Sequence, residues 1–483
     1  MTATALLTDL YQLTMAQGLW RLGRAERPAV FHLFFRRAPF GGGYAVTAGL
    51  GPVLDYLRGF RFTEEDTDHL AGLPGNDGQP LFDAAFLAYL RGLRLTLDVD
   101  ALPEGTACFA HAPLLRVTGP LLQAQLVETT LLNLVNFQTL IATKAARIKD
   151  AADGDAVLEF GLRRAQGTDG AMAASRAAYL GGADATSNVA AGAAFGIPVR
   201  GTHAHSWVMG FDTEEEAFDA WAETAPNNGV FLVDTYDTVQ GVKNAIAAGE
   251  KLRAKGHRLG GVRLDSGDLA WLSREARRLL DAAGFPEAKV VASNDLDEQV
   301  IRDLKAQGAA IDTWGVGTRL VTGHDQPALG GVYKLAALRD DAGVWQPRVK
   351  LSESTAKTSI PGKLQVRRYL DGDKPVADQL WSEFDGEPGS RRLLDPTDPI
   401  RRRTEPADRG FHDLLVPVVR GGEVVLPGEP LAAARDRARA EVAALDLTVR
   451  RFIHPHRYPV GLTPELFALR ERLIEQHHPA GDH

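Results

Sequence analysis

At 483 residues the chain is too long for one ordinary hydrophobic core, and a composition 45% apolar and 24% charged is that of a globular enzyme. Acidic residues outnumber basic ones by 62 to 54, and the net charge of −8 argues against a nucleic-acid or anionic-membrane partner. The single cysteine, Cys108, excludes an intrachain disulfide and a thiolate metal cluster. No signal-peptide pattern or membrane-length apolar run is present, so a cytoplasmic location is expected.

In chain order, residues 5–21 repeat apolar positions at helical spacing, and Val30–Phe35 is an aromatic, β-branched run that predicts a strand. A helix is predicted over 84–92, strands within 93–118, and a further helix from Leu121 to about Asp153. From about residue 155 short apolar runs alternate with helical stretches. The runs are Ala156–Phe160, Ala183–Thr186, Ile197–Gly201, Val230–Val233, Gly261–Leu264, Val290–Ala292 and Ile311–Val316. The helical stretches between them are 168–180, 188–195, 237–255, 268–283 and 295–307. This rhythm predicts an α/β barrel of parallel strands, with an open doubly wound sheet as the alternative. No Gly-x-Gly-x-x-Gly follows the first run to favour that alternative. Beyond residue 337 the chain is strand-like, with Phe384–Pro399 read as an exposed connection, Arg401–Arg403 as a solvated loop, and helices over 429–445 and 464–476. The expected division is an N-terminal α/β domain (1–150), the barrel (151–337), and a C-terminal segment (338–483) folding back on the first.

Barrel enzymes carry their chemistry at the C-terminal ends of the strands. The corresponding residues here are Glu159–Arg164, Asp184–Asn188, Gly201–Ser206, Asp234–Asp237, Arg263–Asp268, Ser293–Asp295 and Gly315–Arg319. Any one such end could equally be a helix cap. Gly315-Val316-Gly317-Thr318 suits a phosphate, because small residues let backbone N–H groups approach it. Arg36, Arg37, Arg163, Arg164 and Arg263 add cations, and Asp184, Asp265 and Asp295 are candidate Mg²⁺ ligands or arginine partners. His203 and His205, alternating along an extended segment, should face opposite ways. They also permit a metal hydrolase reading, for which further ligands at strand ends are lacking.

The stretches LLTDLYQLTMA, FFRRAPFGGGYAV, EFGLRRAQGTDGAMAASRAAYLGGADATSN, GTHAHSWV, GVRLDSGDLA and VGTRLVTGHDQPALGGVYKL occur in this order, followed by YPVGL. With them the chain resembles the nicotinate phosphoribosyltransferases from residue 6 to about 470. The resemblance implies an irregular α/β barrel of the type II phosphoribosyltransferase kind, plus an α/β domain built from both chain ends. It implies a homodimer with shared active sites, ATP as co-substrate and Mg²⁺. It assigns His205 as the residue ATP phosphorylates, and Tyr11 (from the partner subunit) and Phe160 as the pair sandwiching the pyridine ring. Thr202, Arg263 and Asp184 fall near nicotinate, and Arg163 and Asp265 near the phosphoribosyl group. Gly315, Gly317 and Thr318 match the 5′-phosphate loop. Arg36 and Arg37 are candidates for diphosphate, and Mg²⁺ is a candidate near Asp265 and Asp295. Nicotinamide as substrate, a metal hydrolase on His203 and His205, and a non-catalytic sensor are the rival readings.

Overall fold

The computed structural model describes residues 4–351, 358–398, 400–426 and 428–477. The chain forms two compact units, one of Ile141–Pro327 and one that combines Met1–Leu140 with Ala328–His483. Both junctions lie earlier than the boundaries read from sequence. Nothing local marks the first, because the helix Glu128–Ala152 is continuous.

The central unit is built on six parallel strands: β1 (Ala156–Glu159), β2 (Ala185–Thr186), β3 (Val230–Leu232), β4 (Gly261–Leu264), β5 (Lys289–Asn294) and β6 (Thr313–Val316). Their order is β2-β1-β6-β5-β4-β3, with all ladders parallel. Val157, Phe231, Val262, Leu264, Val290, Ala292, Trp314 and Val316 are fully buried. Burying a side chain such as Val, Leu or Phe contributes about 1.5–3 kcal/mol. Strands buried on both faces read as short, mainly apolar runs, which is why these were visible in the sequence.

The run Ile197–Gly201 does not become a seventh strand. It makes a single parallel bridge, Thr186 to Val199, flanked by hydrogen bonds from Thr186 N–H to Pro198 O and from Arg200 N–H to Thr186 O. Pro198 has no N–H to donate, so the segment cannot sustain a ladder. On its other side two side chains span the gap to β3. Asn228 Nδ2 donates to Gly201 O at 3.3 Å, and Leu232 N–H donates to His203 Nε2 at 3.2 Å. The barrel is thus irregular, and His203 is part of its seam. The ring of His203 is buried among Phe218, Trp221 and Phe231.

The other unit holds a seven-stranded antiparallel sheet in the order Trp345–Pro347, Gly331–Arg339, Pro28–Phe35, Leu115–Pro120, Asp98–Ala101, Val416–Arg420, Glu423–Val424. A six-stranded sheet runs Arg402–Thr404, Arg392–Leu394, Val460–Leu462, Lys374–Ser382, Leu364–Asp371, Gly410–Asp413. Both sheets recruit the late chain, the first by pairing Gly331–Arg339 with Pro28–Phe35. Between the two ends lies a core that includes Phe31, Leu33, Phe35, Phe86, Val99, Val117 and Leu131. Phe384–Pro399 is not simply an exposed connection. It contains the strand Arg392–Leu394, too short to show periodicity, and buries Leu393 and Asp395, while Pro399 lies outside the described residues. The sequence reading also missed the helices Leu50–Gly59, Glu64–Ala71 and Glu214–Thr224. The second of these opens on a capping box, in which Thr63 accepts from Asp66 N–H and Asp66 from Thr63 N–H.

Candidate active site

The polar residues that end the barrel strands divide into two groups. Asn188, Asp237, Asp268 and Asp297 each accept from a backbone N–H in the first turn of the following helix, so capping accounts for them. Thr202, Asp234, Arg263, Asp265 and Ser293 cap no helix and instead bind one another across the rim.

Arg263, on β4, is the centre of that network. Its Nε donates to Ser293 Oγ at 2.7 Å, Nη1 to Thr202 Oγ1 at 3.2 Å, and Nη2 to Asp265 Oδ1 at 2.8 Å. Its side chain is only 14% exposed. Partners from three different segments fix the guanidinium plane before any ligand arrives. Burial would raise the Asp265 carboxyl, but the Ser293 hydroxyl and the Arg263 guanidinium hold it below the usual carboxylate range. Asp234 Oδ2 accepts from Asp265 N–H at 3.0 Å and from Ser266 Oγ at 2.5 Å, so it sets the course of the loop after β4.

Phe160 follows β1, and its N–H donates to Val316 O at 2.8 Å. The Arg263 guanidinium carbon lies 5.7 Å from the centre of its ring. A Cβ added to Gly315 would stand 2.8 Å from that ring, and one on Gly317 would stand 3.2 Å from Phe160 O. Glycine at 315 is therefore required for the ring to lie against β6. Behind Phe160, the fully buried Glu159 accepts from Ser175 Oγ at 2.8 Å, from Thr186 Oγ1 at 2.6 Å and from Gly161 N–H, tying β1 to β2. Thr318 opens the one-turn helix Thr318–Val321 after Gly317, and Arg319 anchors this turn to Asp297 at 2.5 Å. First-turn N–H groups have no intrahelical acceptors, so the turn can offer donors to a phosphate.

His205 begins the short helix His205–Val208 and its side chain is 41% exposed. Nδ1 lies 3.1 Å from Thr235 Oγ1, and Nε2 lies 3.9 Å from Asp265 Oδ2. When Thr235 accepts from Nδ1–H, Nε2 is the lone-pair nitrogen and is available as a nucleophile. His203 cannot share a metal with it, because its Nε2 already accepts from Leu232 N–H inside the wall. Burial pushes His203 down to about 4, and the neutral ring is the form that can accept this bond.

Phe160, Thr202, His205, Arg263 and Asp265 thus share one network of contacts, with Gly315 beneath Phe160. Arg163 stands exposed in the turn Leu162–Arg164 that follows Phe160, and Asp295 is exposed beyond β5. Asp184 does not join them. It precedes β2, where it accepts from Val157 N–H at 2.9 Å and Lys149 Nζ at 2.8 Å, beside the starting ends of the strands. The sequence run placed its strand too early, since β2 begins only at Ala185. Tyr11, Arg36 and Arg37 belong to the other unit: Tyr11 is 49% exposed on the helix Leu10–Arg21, and Arg36 lies 5.9 Å from the Phe34 ring centre. Among the described residues no cluster of three or more His, Cys, Asp or Glu could hold a metal. Ser293, Thr235, Asp234 and Glu159 were visible at strand ends but carried no signal separating them from caps.

The barrel rim thus pairs an aromatic face with a pinned arginine, a glycine-lined turn and an oriented histidine. Three family models cover the chain: the nicotinate phosphoribosyltransferase N-terminal domain (residues 6–136), the nicotinate phosphoribosyltransferase family (156–384) and its C-terminal domain (363–470). A nicotinate phosphoribosyltransferase of Bacillus subtilis is 43% identical over 98% of this chain and 95% of its own. The crystal structure of human nicotinic acid phosphoribosyltransferase superposes with a TM-score of 0.84 at 36% identity, covering 96% of this chain and 99% of that one. A nicotinate-nucleotide pyrophosphorylase of Pyrococcus furiosus shares the fold at a TM-score of 0.66 and 22% identity, over 91% of this chain and 95% of its own. The chain belongs to the nicotinate phosphoribosyltransferase family.

Proposed function

We propose that this chain joins nicotinate to phosphoribosyl diphosphate, forming nicotinate mononucleotide and diphosphate, with ATP hydrolysis driving the cycle. The observation that carries this reading is Arg263, fixed by Ser293, Thr202 and Asp265 beside the Phe160 ring. The ring supplies a face for the pyridine, and the guanidinium a charge-assisted partner for its carboxylate. A neutral amide, which carries N–H donors and no charge, would find more use for a carboxylate there. Asp184 lies away from the rim network, and Asp265 is itself engaged by Arg263 and Ser293.

In the transfer step the pyridine nitrogen attacks ribose C1, and the C1–O bond breaks with its electron pair leaving on the diphosphate. Holding the two reactants in line supplies much of the rate. The turn at Gly317 and Thr318 suits the 5′-phosphate, and Arg163 extends from the neighbouring turn. Mg²⁺ suits this site as part of the diphosphate substrate, since it binds through one or two carboxylates plus phosphate oxygens, and Asp265 and Asp295 are the carboxylates at hand. In the ATP step His205 Nε2 takes the γ-phosphoryl group as ADP leaves, and water later cleaves the N–P bond. With γ-labelled ATP the wild-type chain should acquire acid-labile, base-stable label. Equal labelling of a folded His205→Ala chain would place the phosphoacceptor elsewhere.

A homodimer with shared sites belongs to the same reading. Leu10, Tyr11 and Met15 on the first helix, with Leu7 in the turn before it, leave an exposed apolar patch, which a second copy would cover while receiving Tyr11 at its pyridine site. Mixing inactive Tyr11→Ala chains with inactive His205→Ala chains should then restore activity, because one hybrid site carries neither lesion. Mixtures that remain inactive although hybrids form would contradict sharing. No described helix is long and apolar enough to cross a membrane. A cytoplasmic location accompanies the proposal.

A further inference from the structure

The arginine run 401–403 plays no part in the reading above, yet it does not project into solvent as an isolated loop. Arg401, Arg402 and Arg403 line a cleft of about 270 Å³ together with His456, Arg457 and Asp395. Leu393, Tyr458 and Val460 form its apolar side. Tyr458 is held rigid, stacked on Phe109 at 3.6 Å between ring centres and donating to Asp378 Oδ1 at 3.0 Å.

Four guanidinium groups meet a single lining carboxylate. Asp395 is committed to Arg457, whose Nη2 lies 3.0 Å from Asp395 Oδ2 and donates to Thr397 Oγ1 at 3.1 Å. Arg401 pairs at 3.2 Å with the nearby Asp398, and Arg403 pairs with Glu405. Arg402 is exposed and makes no ion pair among the described residues. Arg402–Thr404 is the edge strand of its sheet, and charges on an edge guard it against pairing with other chains. That role accounts for Arg402 and Arg403. It does not explain why Arg457 and His456, from a different segment, line the same cleft.

We infer that this cleft binds a small phosphorylated molecule, with its phosphate or diphosphate group on Arg402 and Arg457 and the remainder against Leu393 and Tyr458. Guanidinium forks match phosphate oxygens in pairs, and the cleft approaches the size of small-ligand pockets, about 300–1,000 Å³. The site is additional to the barrel rim, and the inference does not depend on the activity proposed above.

The test is calorimetric titration of the full-length protein with inorganic diphosphate. Thr318→Glu places a carboxylate in the rim turn and weakens phosphate uptake there, and of the diphosphate this variant still takes up, the share lost on adding Arg402→Glu reports on the cleft. Thr318→Glu should still bind one equivalent, and adding Arg402→Glu should weaken this binding at least tenfold, while Arg402→Lys largely retains it. Unchanged thermal unfolding would show that the fold survives. Binding that is the same with and without Arg402→Glu overturns the inference, as does an absence of binding in Thr318→Glu. If Thr318→Glu leaves the total uptake of wild type untouched, the phosphate role of the rim turn fails, and the cleft is still judged on Arg402.

Discussion

Replacing Arg263 by alanine should reduce kcat/KM for nicotinate by about 2–5 kcal/mol of transition-state binding, roughly 30-fold to several-thousand-fold. The wide range reflects two losses that act together. The nicotinate carboxylate loses its charge-assisted partner, and Asp265 and Ser293 lose the guanidinium that organises them. Arg263→Lys should recover little, because an ammonium cannot reach Ser293, Thr202 and Asp265 from one rigid plane. Nicotinamide, which has no carboxylate, should be used no worse by Arg263→Ala than by wild type relative to nicotinate. The selectivity ratio therefore separates recognition from general damage. Steady-state assays with both bases provide the check, and an unchanged nicotinate KM and kcat would remove Arg263 from the binding site.

The second large effect is acid destabilisation carried by buried histidines. Burial pushes His32 down to about 3, with Arg116 adding to the effect. Burial likewise pushes His111 and His203 down to about 4, with Arg457 opposing the charge on the first and Arg263 that on the second. In the unfolded chain each ring titrates near 6.5. Above that pH both states hold neutral rings and stability is complete. As pH falls below 6.5 the unfolded chain gains protons that the folded one refuses until about 4 or 3, so stability drops through this window. Each ring contributes on the order of 3 kcal/mol by the bottom of its range. The carboxylates held low, Asp100, Asp265 and Asp297, act in a separate window below their unfolded value of 3.8. Urea unfolding between pH 7.5 and 4.5 should show the decline. His203→Gln, which keeps an acceptor for Leu232 N–H without titrating, should make it shallower, with His32 and His111 carrying the rest. A midpoint constant across that range would mean these rings are protonated in the folded state.

What the sequence revealed follows from how far apart the interacting residues lie. Val230–Leu232, Gly261–Leu264 and Thr313–Val316 were legible because strands covered on both faces are mostly apolar, with polar residues such as Arg263 standing out against them. Ile197–Gly201 also presents apolar residues, Ile197 and Val199, but Pro198 decides its fate through one missing donor. Asp184 was misplaced because a two-residue strand gives no periodicity with which to locate its start. At the site, residue types at strand ends were visible, yet their division into caps and network members was not. Asp268 and Asp265 look alike in sequence, though one accepts from Trp271 N–H and the other binds Arg263. That distinction depends on Ser293 and Thr202 being brought to Arg263 by barrel closure, and no local pattern encodes it. His203 shows the same point in reverse, since its motif suggested chemistry and its packing makes it part of the wall.

The most direct measurement is incubation of the purified chain with phosphoribosyl diphosphate, Mg²⁺ and an equimolar mixture of nicotinate and nicotinamide, with and without ATP, followed by identification of the mononucleotide formed. Nicotinate mononucleotide in large excess, formed faster or to a greater extent when ATP is present and hydrolysed, is the expected result. Predominant nicotinamide mononucleotide, or no mononucleotide from either base in the presence of ATP, would contradict it.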